Sequence, residues 1–216
     1  MNSTASVPAP ARKPNLARQL LTVAWLSLLL GLGLEVLLLA LAAGTGTFKS
    51  LAPFVADFAQ KVTWSTLVCI GLACGTLASR ARAQVMGWMG LISAPIAFVA
   101  AKSVHKGAQQ ALSLSAAASA GPSPYLLAGL KALEYGVLGW LLGRLARRAA
   151  PTLAGHLRLG ALVGALFGGT ILWLLIEQAV PALAGPAIAA RAVNELIFPI
   201  GCSVVLYVAD VLGKKL

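Results

Sequence analysis

The feature that most constrains this fold is a series of apolar runs, each long enough to cross a lipid bilayer, that recur along nearly all of the 216 residues. A helix needs about 20 apolar residues to span the hydrocarbon core of a membrane. The chain is 59% hydrophobic and only 11% charged, whereas soluble domains carry roughly 25% charged residues. We therefore expect an all-α fold, a polytopic membrane helix bundle without a separate soluble domain.

Six transmembrane helices are predicted to follow a cytoplasmic N-terminal tail (1–18) and to form a single transmembrane domain (19–216). The predicted spans are 20–43, 62–79, 85–101, 124–143, 159–180 and 192–213. The segment 48–61 has apolar residues at helical spacing, which favours a short amphipathic helix that lies in the outer interface or dips into the protein. The first run has the basic start and small-residue end of a signal peptide, but its length favours a retained span.

The basic residues predict the orientation of the bundle. Eleven of the 17 lysines and arginines fall on the side of the membrane that also holds both termini. Cytoplasmic loops carry the excess of such residues, so both termini are predicted to lie in the cytoplasm, in a bacterial-type inner membrane. The basic residues lie in short loops without interleaved aromatic side chains, and nucleic acid is therefore not an expected partner.

Glycines four residues apart predict flat strips on three of the spans. These glycines are Gly71 and Gly75, Gly139 and Gly143, and Gly160, Gly164 and Gly168. Small residues at this spacing let another helix approach closely. The strips are expected either to pack within one bundle or to form a subunit interface. Besides the lipid bilayer, the expected partners are therefore a second copy of the chain, in a homo-oligomer, or partner membrane subunits.

Five of the six carboxylates are predicted in the outer half of the membrane, and Asp210 is the exception. A charge inside the bilayer is costly and usually faces protein, pairs with another charge, or marks an ion or proton route. Lys131 and Glu134 are three residues apart, so they can pair on one helix face, whereas Glu35 has no cation on its own helix. The candidates for a cation or solute pathway are Glu35, Lys131, Glu134, Glu177, Asn194, Glu195 and Pro199.

The stretch "RAVNELIFPIG" opens the last span with an unusual local feature. Pro199 has no N–H, so the carbonyl of Glu195, four residues earlier, loses its helical partner. A carboxylate and a free carbonyl are then expected side by side next to Asn194, and oxygen groups on broken helices coordinate cations in transporters. The alternative is an ordinary proline kink in a packed helix.

A second candidate site lies at the outer end of the third span, where Lys102, His105 and Lys106 follow one side of a helix. These side chains suit an anionic group such as a lipid head group, and a solvated helix end is the alternative. The motifs of zinc peptidases, serine hydrolases, nucleotide-binding loops and dithiol redox proteins are absent. We therefore expect no enzyme activity, no cofactor and no metal site.

Two functions remain open from the sequence. In the first, the protein conducts or transports a small cation, proton or solute past the outer carboxylates. In the second, it is a non-catalytic membrane subunit or scaffold of a larger complex, whose charges pair internally and whose glycine strips dock partner helices. The distances between Glu35, Glu134 and Glu195 distinguish a shared site from separate pairs.

Overall fold

The computed structural model describes residues 16–48, 50–76, 78, 81–114, 121–147 and 152–215, and within them the chain forms six helices and no strand. The predicted tail 1–18 therefore lies almost entirely outside the described residues. The helices are α1 (Leu16–Gly44), α2 (Ala52–Gly75), α3 (Arg82–Ala111), α4 (Pro124–Leu145), α5 (Leu153–Glu177) and α6 (Gly185–Lys215).

Five of the six helices are long and apolar enough to cross a membrane. They are represented by the segments Ala17–Gly44, Arg82–Ala111, Pro124–Leu145, Leu153–Glu177 and Gly185–Leu212. The remaining helix, α2, is 24 residues long but carries Asp57 and Lys61 in its first half. The all-helical fold is therefore confirmed, and the apolar helices indicate a membrane protein. The cytoplasmic location of the termini stays a prediction.

The largest difference from the predicted spans concerns α2. The segment 48–61 is predicted as a separate interfacial helix, but most of it forms the first half of α2, which runs without a break from Ala52 to Gly75. Pro53 lies in the first helical turn, where its missing N–H has no intrahelical partner to lose. Lys61, predicted in the outer loop, is consequently inside the bundle and only 9% exposed.

Other helices also begin or end beyond their predicted limits, and the two longest extensions are in α3 and α6. The third predicted span ends at 101, and α3 continues as helix to Ala111, in agreement with the helix predicted through Lys102 and Lys106. The sixth predicted span begins at 192, whereas α6 begins at Gly185, with Pro186 in its first turn. The extension of α3 carries polar residues, which hydropathy alone assigns to a loop.

Consecutive helices run antiparallel and pack side by side, and α6 returns to pack on α1, so the six helices close into a ring. Where α6 packs on α1, Gly201 of α6 lies against the side chain of Leu30 of α1. The ring has two ends, which we call distal and proximal. At the distal end α1, α3 and α5 finish and α2, α4 and α6 begin, and the proximal end is the opposite one. The distal end corresponds to the predicted outer side.

The glycine strip of α5 packs on α6 of the same chain. A Cβ atom built on Gly160 would lie 2.7 Å from the Cα of Ile200, and one on Gly164 would lie 2.5 Å from the carbonyl oxygen of Leu196. A Cβ on Gly168 would overlap the carbonyl of Glu195. No side chain fits at these positions, so the strip lets the two backbones touch.

The other two strips pack on α3. A Cβ atom on Gly75 would lie 2.5 Å from the Cα of Met86, and one on Gly143 would lie 2.5 Å from the Cα of Ala83. The remaining glycines of these strips, Gly71 and Gly139, are equally close to α3. All seven predicted packing glycines therefore face a neighbouring helix within this chain.

The proximal half of the ring is filled by a packed apolar core. Its fully buried side chains include Val68, Leu72, Cys69, Leu138, Leu142 and Cys202. The Sγ atoms of the two cysteines, on α2 and α6, lie 3.3 Å apart as free thiols. Interiors packed in this way leave few voids that could hold water, so the core closes the proximal half of the ring.

Candidate functional site

Two groups of charged side chains lie inside the distal half, one a lysine–glutamate pair and the other a lysine bonded to two glutamates, and together we call them the charge network. They are Glu35 on α1, Lys61 on α2, Lys131 and Glu134 on α4, and Glu195 on α6. Each lies about 10–15 Å from the distal end of its helix, at 1.5 Å per residue. Three of the sequence-predicted pathway carboxylates therefore lie at similar depth on facing helices.

Lys131 joins two carboxylates from different helices. Its Nζ donates hydrogen bonds of 2.8 Å to Glu134 Oε2 and 2.6 Å to Glu195 Oε2. Glu134 is three residues further along α4 and fully buried, whereas the side chain of Glu195 remains 16% exposed. Helical spacing predicts the first of these bonds. The second, across to α6, is the contact that holds Glu195 in the network.

Glu35 pairs with Lys61, which the sequence did not identify as its partner. Lys61 Nζ lies 2.5 Å from Glu35 Oε2, and the two side chains are 11% and 8% exposed. Taking either charge alone out of water costs several kcal/mol, which the attraction between them offsets. The unbroken course of α2 brings Lys61 to this depth, so the partner becomes visible only once that helix is known to begin at Ala52.

A cavity of about 250 Å³ lies between α1, α2, α3, α4 and α6 in the distal half. Its polar lining comprises Asp57, Gln60, Lys61, Lys131, Asn194 and Glu195. Its apolar lining comprises Leu38, Trp64, Phe98, Ala101, Ala190 and Phe198. Part of the charge network therefore faces a space large enough for a small solute.

Aromatic rings close the cavity towards the proximal end. The ring of Trp64 meets Tyr135 edge-on, with centroids 5.5 Å apart, and meets Phe198 edge-on at 6.1 Å. The thiols of Cys69 and Cys202 lie roughly one turn further along α2 and α6, at the top of the apolar core. The cavity is thus bounded on its proximal side by rings and packed core.

Pro199 coincides with a change in the winding of α6. The residues just before it, Val193–Ile197, form a π-helical turn, and Gly164–Gly168 form a second π-helical turn in α5. Such turns arise where the regular helical bonds are interrupted, and they are frequent at functional sites. A proline that lacks an N–H is one such interruption.

The two oxygen groups of Glu195 have different neighbours. Its carbonyl packs against Gly168 on α5, a helix that does not line the cavity, while its carboxylate reaches Lys131 on α4. The joint site of carboxylate and freed carbonyl that the sequence suggests is therefore not formed. Asn194, by contrast, lines the cavity as a neighbour of Glu195.

The remaining predicted site residues lie at the distal rim. Glu177 is exposed at the end of α5 and lies outside the charge network. His105 Nδ1 lies 3.4 Å from Asp57 Oδ1, and Lys102 Nζ lies 4.6 Å from the centroid of the Phe98 ring. Lys106 is exposed. Two members of the predicted anion-binding trio therefore contact cavity-lining side chains.

The aromatic residues of the cavity were not recognised from the sequence. Trp64 follows Lys61 by three residues, so a continuous helix through both would have placed them on one face. Phe98 and Phe198 lie inside apolar runs, where an aromatic residue gives no local sign that it faces a cavity. These positions depend on how the helices are arranged, which one-dimensional patterns do not contain.

Among the described residues, no group of three or more His, Cys, Asp or Glu side chains could hold a metal ion. No protein-family model, curated protein or solved structure matches the chain. The functional proposal is therefore based on the cavity and the charge network.

Proposed function

We propose that the protein conducts or transports a small cation, proton or solute, which binds in the distal cavity beside Glu195. The observation that carries this proposal is the shared bonding of Lys131 to Glu134 and Glu195, in a network with three carboxylates and two lysines. When all five groups are ionised, the network has one negative charge in excess.

The excess charge favours a positively charged ligand. An uncompensated charge in a membrane interior costs from a few to more than ten kcal/mol, so a bound proton or cation stabilises the network more than an anion does. Glu195 is the most exposed of the three carboxylates and is the one that lines the cavity. Glu134 is fully buried beneath it. Glu195 is therefore the first carboxylate of the charge network that an entering ion meets.

The asymmetry of the ring suits a protein that opens one end at a time. The cavity reaches Asp57, whose side chain is 43% exposed, while the proximal side is filled by aromatic rings and the apolar core. Transporters with binding sites near the membrane midplane expose them alternately to the two sides. The π-helical turns beside Glu195 and in the facing part of α5 are the segments at which we expect this movement.

The second candidate function, a non-catalytic subunit or scaffold of a larger membrane complex, is favoured by one observation. Each lysine of the charge network already has a carboxylate partner within the chain, as expected where charges serve only internal pairing. The glycine strips give this alternative less support, because helices of the same chain occupy them. A docking partner would have to bind another face.

The two candidates are distinguished by flux measurements on the purified chain in proteoliposomes. Glu195→Gln and Glu35→Gln are expected to abolish ion or solute flux without preventing assembly, because each removes a charge that the pathway uses. Glu177→Gln is the matched control, since it removes an exposed carboxylate outside the network. Normal flux through both network variants contradicts the proposal. A stoichiometric partner recovered in mild detergent, with no flux, supports the scaffold alternative.

A further inference from the structure

We infer that the ligand of the distal cavity is a small organic ammonium ion, held by Glu195 and by the aromatic rings of Trp64, Phe98 and Phe198. This inference deepens the proposed function and rests on it. It names the class of ligand within the broader set of cations, protons and solutes, and it draws on the rings, the carboxylates and the size of the cavity.

The rings come from three different helices and line one space. Trp64 on α2, Phe98 on α3 and Phe198 on α6 all border the cavity. A cation positioned over the face of an aromatic ring is attracted by the ring quadrupole, and aromatic cages built in this way recognise substituted ammonium ions. An inorganic cation or a proton gains less from such a lining than from additional oxygen ligands.

Ammonium groups of the protein itself already occupy positions beside these rings. Lys131 Nζ lies 5.7 Å from the centroid of the Trp64 ring, and Lys102 Nζ lies 4.6 Å from that of the Phe98 ring. Both distances fall within the roughly 6 Å range of a cation–π contact. Lys131 lines the cavity and Lys102 is exposed outside it, so the Trp64 contact shows an ammonium group within the lining and the Phe98 contact shows one beside it.

Carboxylates supply the charge that an ammonium ion requires. Glu195 lines the cavity and shares one lysine with Glu134, so the ligand neutralises the negative charge that these two carboxylates have in excess. Asp57 adds a second, more exposed carboxylate towards the distal end. Convergent polar groups within a mostly apolar wall are the usual composition of a small-molecule site.

The volume limits the size of the ligand. At about 250 Å³, the cavity is smaller than the roughly 300–1,000 Å³ of sites for drug-sized ligands. It is nevertheless several times the roughly 30 Å³ that one water molecule occupies in the liquid. An amine with a few carbon atoms fits this space, whereas a bare metal ion would leave most of it unused.

The ligand is expected to share Glu195 with Lys131 and not to displace it completely. Lys131 has a second partner in Glu134, so it stays neutralised when its bond to Glu195 lengthens. The entering ammonium group then donates to the exposed side of the Glu195 carboxylate. The two positively charged groups then share one acceptor, and no buried charge is left unpaired.

The test is calorimetric titration of the purified full chain in nanodiscs with methylammonium, tetramethylammonium and sodium chlorides at equal ionic strength. We expect both organic ions to bind more tightly than sodium. Phe98→Leu should weaken their binding about tenfold, in line with a cation–π contribution of roughly 1–2 kcal/mol, and Phe98→Tyr should restore it. Phe54→Leu is the matched control, because Phe54 packs on Phe48 and does not line the cavity.

The outcomes distinguish the assignment of an ammonium ligand from the broader proposal of transport. If sodium binds as tightly as the organic ions, or if Phe98→Leu binds them normally, the ammonium assignment is wrong. When either result occurs together with a flux of sodium or protons that Glu195→Gln abolishes, the proposed transport function still stands. If the chain supports no Glu195-dependent flux of any of these ions, both proposals fail. Size-exclusion profiles establish that each variant is folded.

Discussion

The distal and proximal halves of the bundle contain the same six helices but are held together differently. In the proximal half, α2 and α4 present Gly75 and Gly143 to α3, and their backbones come into contact. In the distal half, α2 and α4 present Lys61, Trp64 and Lys131 to the interior. Their side chains border a cavity of about 250 Å³. The charges therefore lie where the packing leaves space.

This difference bears on why the charges are present. Close contact between small residues stabilises helix pairs in lipid by van der Waals packing. Buried ion pairs are a weaker source of stability, because apolar residues of the same volume often serve at least as well. A distal half selected for stability alone would accordingly contain apolar side chains. Under the proposed function these charges serve ligand binding, and the following predictions test the contrast between the two halves.

The largest effect is expected from removing the shared cation of the distal half. Lys131→Met leaves Glu134 and Glu195 without their common partner, and breaking a buried pair in this way costs about 3–5 kcal/mol. Thermal unfolding in detergent should show a strongly lowered Tm. The control is Lys106→Met, which removes an exposed lysine from α3. Adding Glu195→Gln to Lys131→Met should recover part of the loss, and an unchanged Tm for the single variant contradicts a buried network.

A somewhat smaller effect is expected from forcing the proximal helices apart. Gly75→Leu places a side chain where a Cβ alone would lie 2.5 Å from the Cα of Met86, and overpacking of this kind costs about 1–3 kcal/mol. Gly129→Leu is the matched control on α4, since a Cβ there meets nothing within 4 Å. Equal melting temperatures for the two variants would show that α2 and α3 do not pack as described.

The smallest effect is expected at the boundary between the halves. The hydroxyl group of Tyr135 is buried without a hydrogen-bond partner among the described residues. Tyr135→Phe removes this group and should leave the stability unchanged or raise it by up to about 1 kcal/mol. Tyr125→Phe, at a position that is 89% exposed, provides the baseline. A clear loss of stability at Tyr135 would instead indicate that a water molecule or ligand satisfies the hydroxyl.

Patterns along the chain were sufficient for the all-helical fold and for the contact within α4, but not for the course of α2. The apolar runs predicted a six-helix bundle, and the three-residue spacing predicted the bond between Lys131 and Glu134. The pair of Lys61 with Glu35 could not be predicted, since it depends on the placement of two separate helices. In α2, Asp57 and Lys61 lower the hydropathy of the first half, so the sequence pattern places that half outside the membrane span. In the structure, Glu35 on α1 neutralises the charge of Lys61.

The local effect of Pro199 could be predicted only in part. Its missing N–H correctly indicates an interruption of the regular winding in α6, which takes the form of the π-helical turn Val193–Ile197. The direction of the Glu195 carbonyl depends on the neighbouring helix, because Gly168 of α5 leaves room for that oxygen. The glycine strip that lets α5 and α6 touch also makes room for the carbonyl of Glu195. The carboxylate of Glu195 is therefore the group that is left to face the cavity.

Thiol accessibility tests the central claim, an accessible distal cavity above a closed proximal core, most directly. In a chain without its native cysteines, Asn194→Cys lies in the cavity lining, and Ser203→Cys lies fully buried further along the same helix. A membrane-impermeant maleimide is expected to label Asn194→Cys faster from the distal side than from the proximal side and to leave Ser203→Cys unlabelled. Labelling of Ser203→Cys, or equal labelling of Asn194→Cys from both sides, would contradict the account.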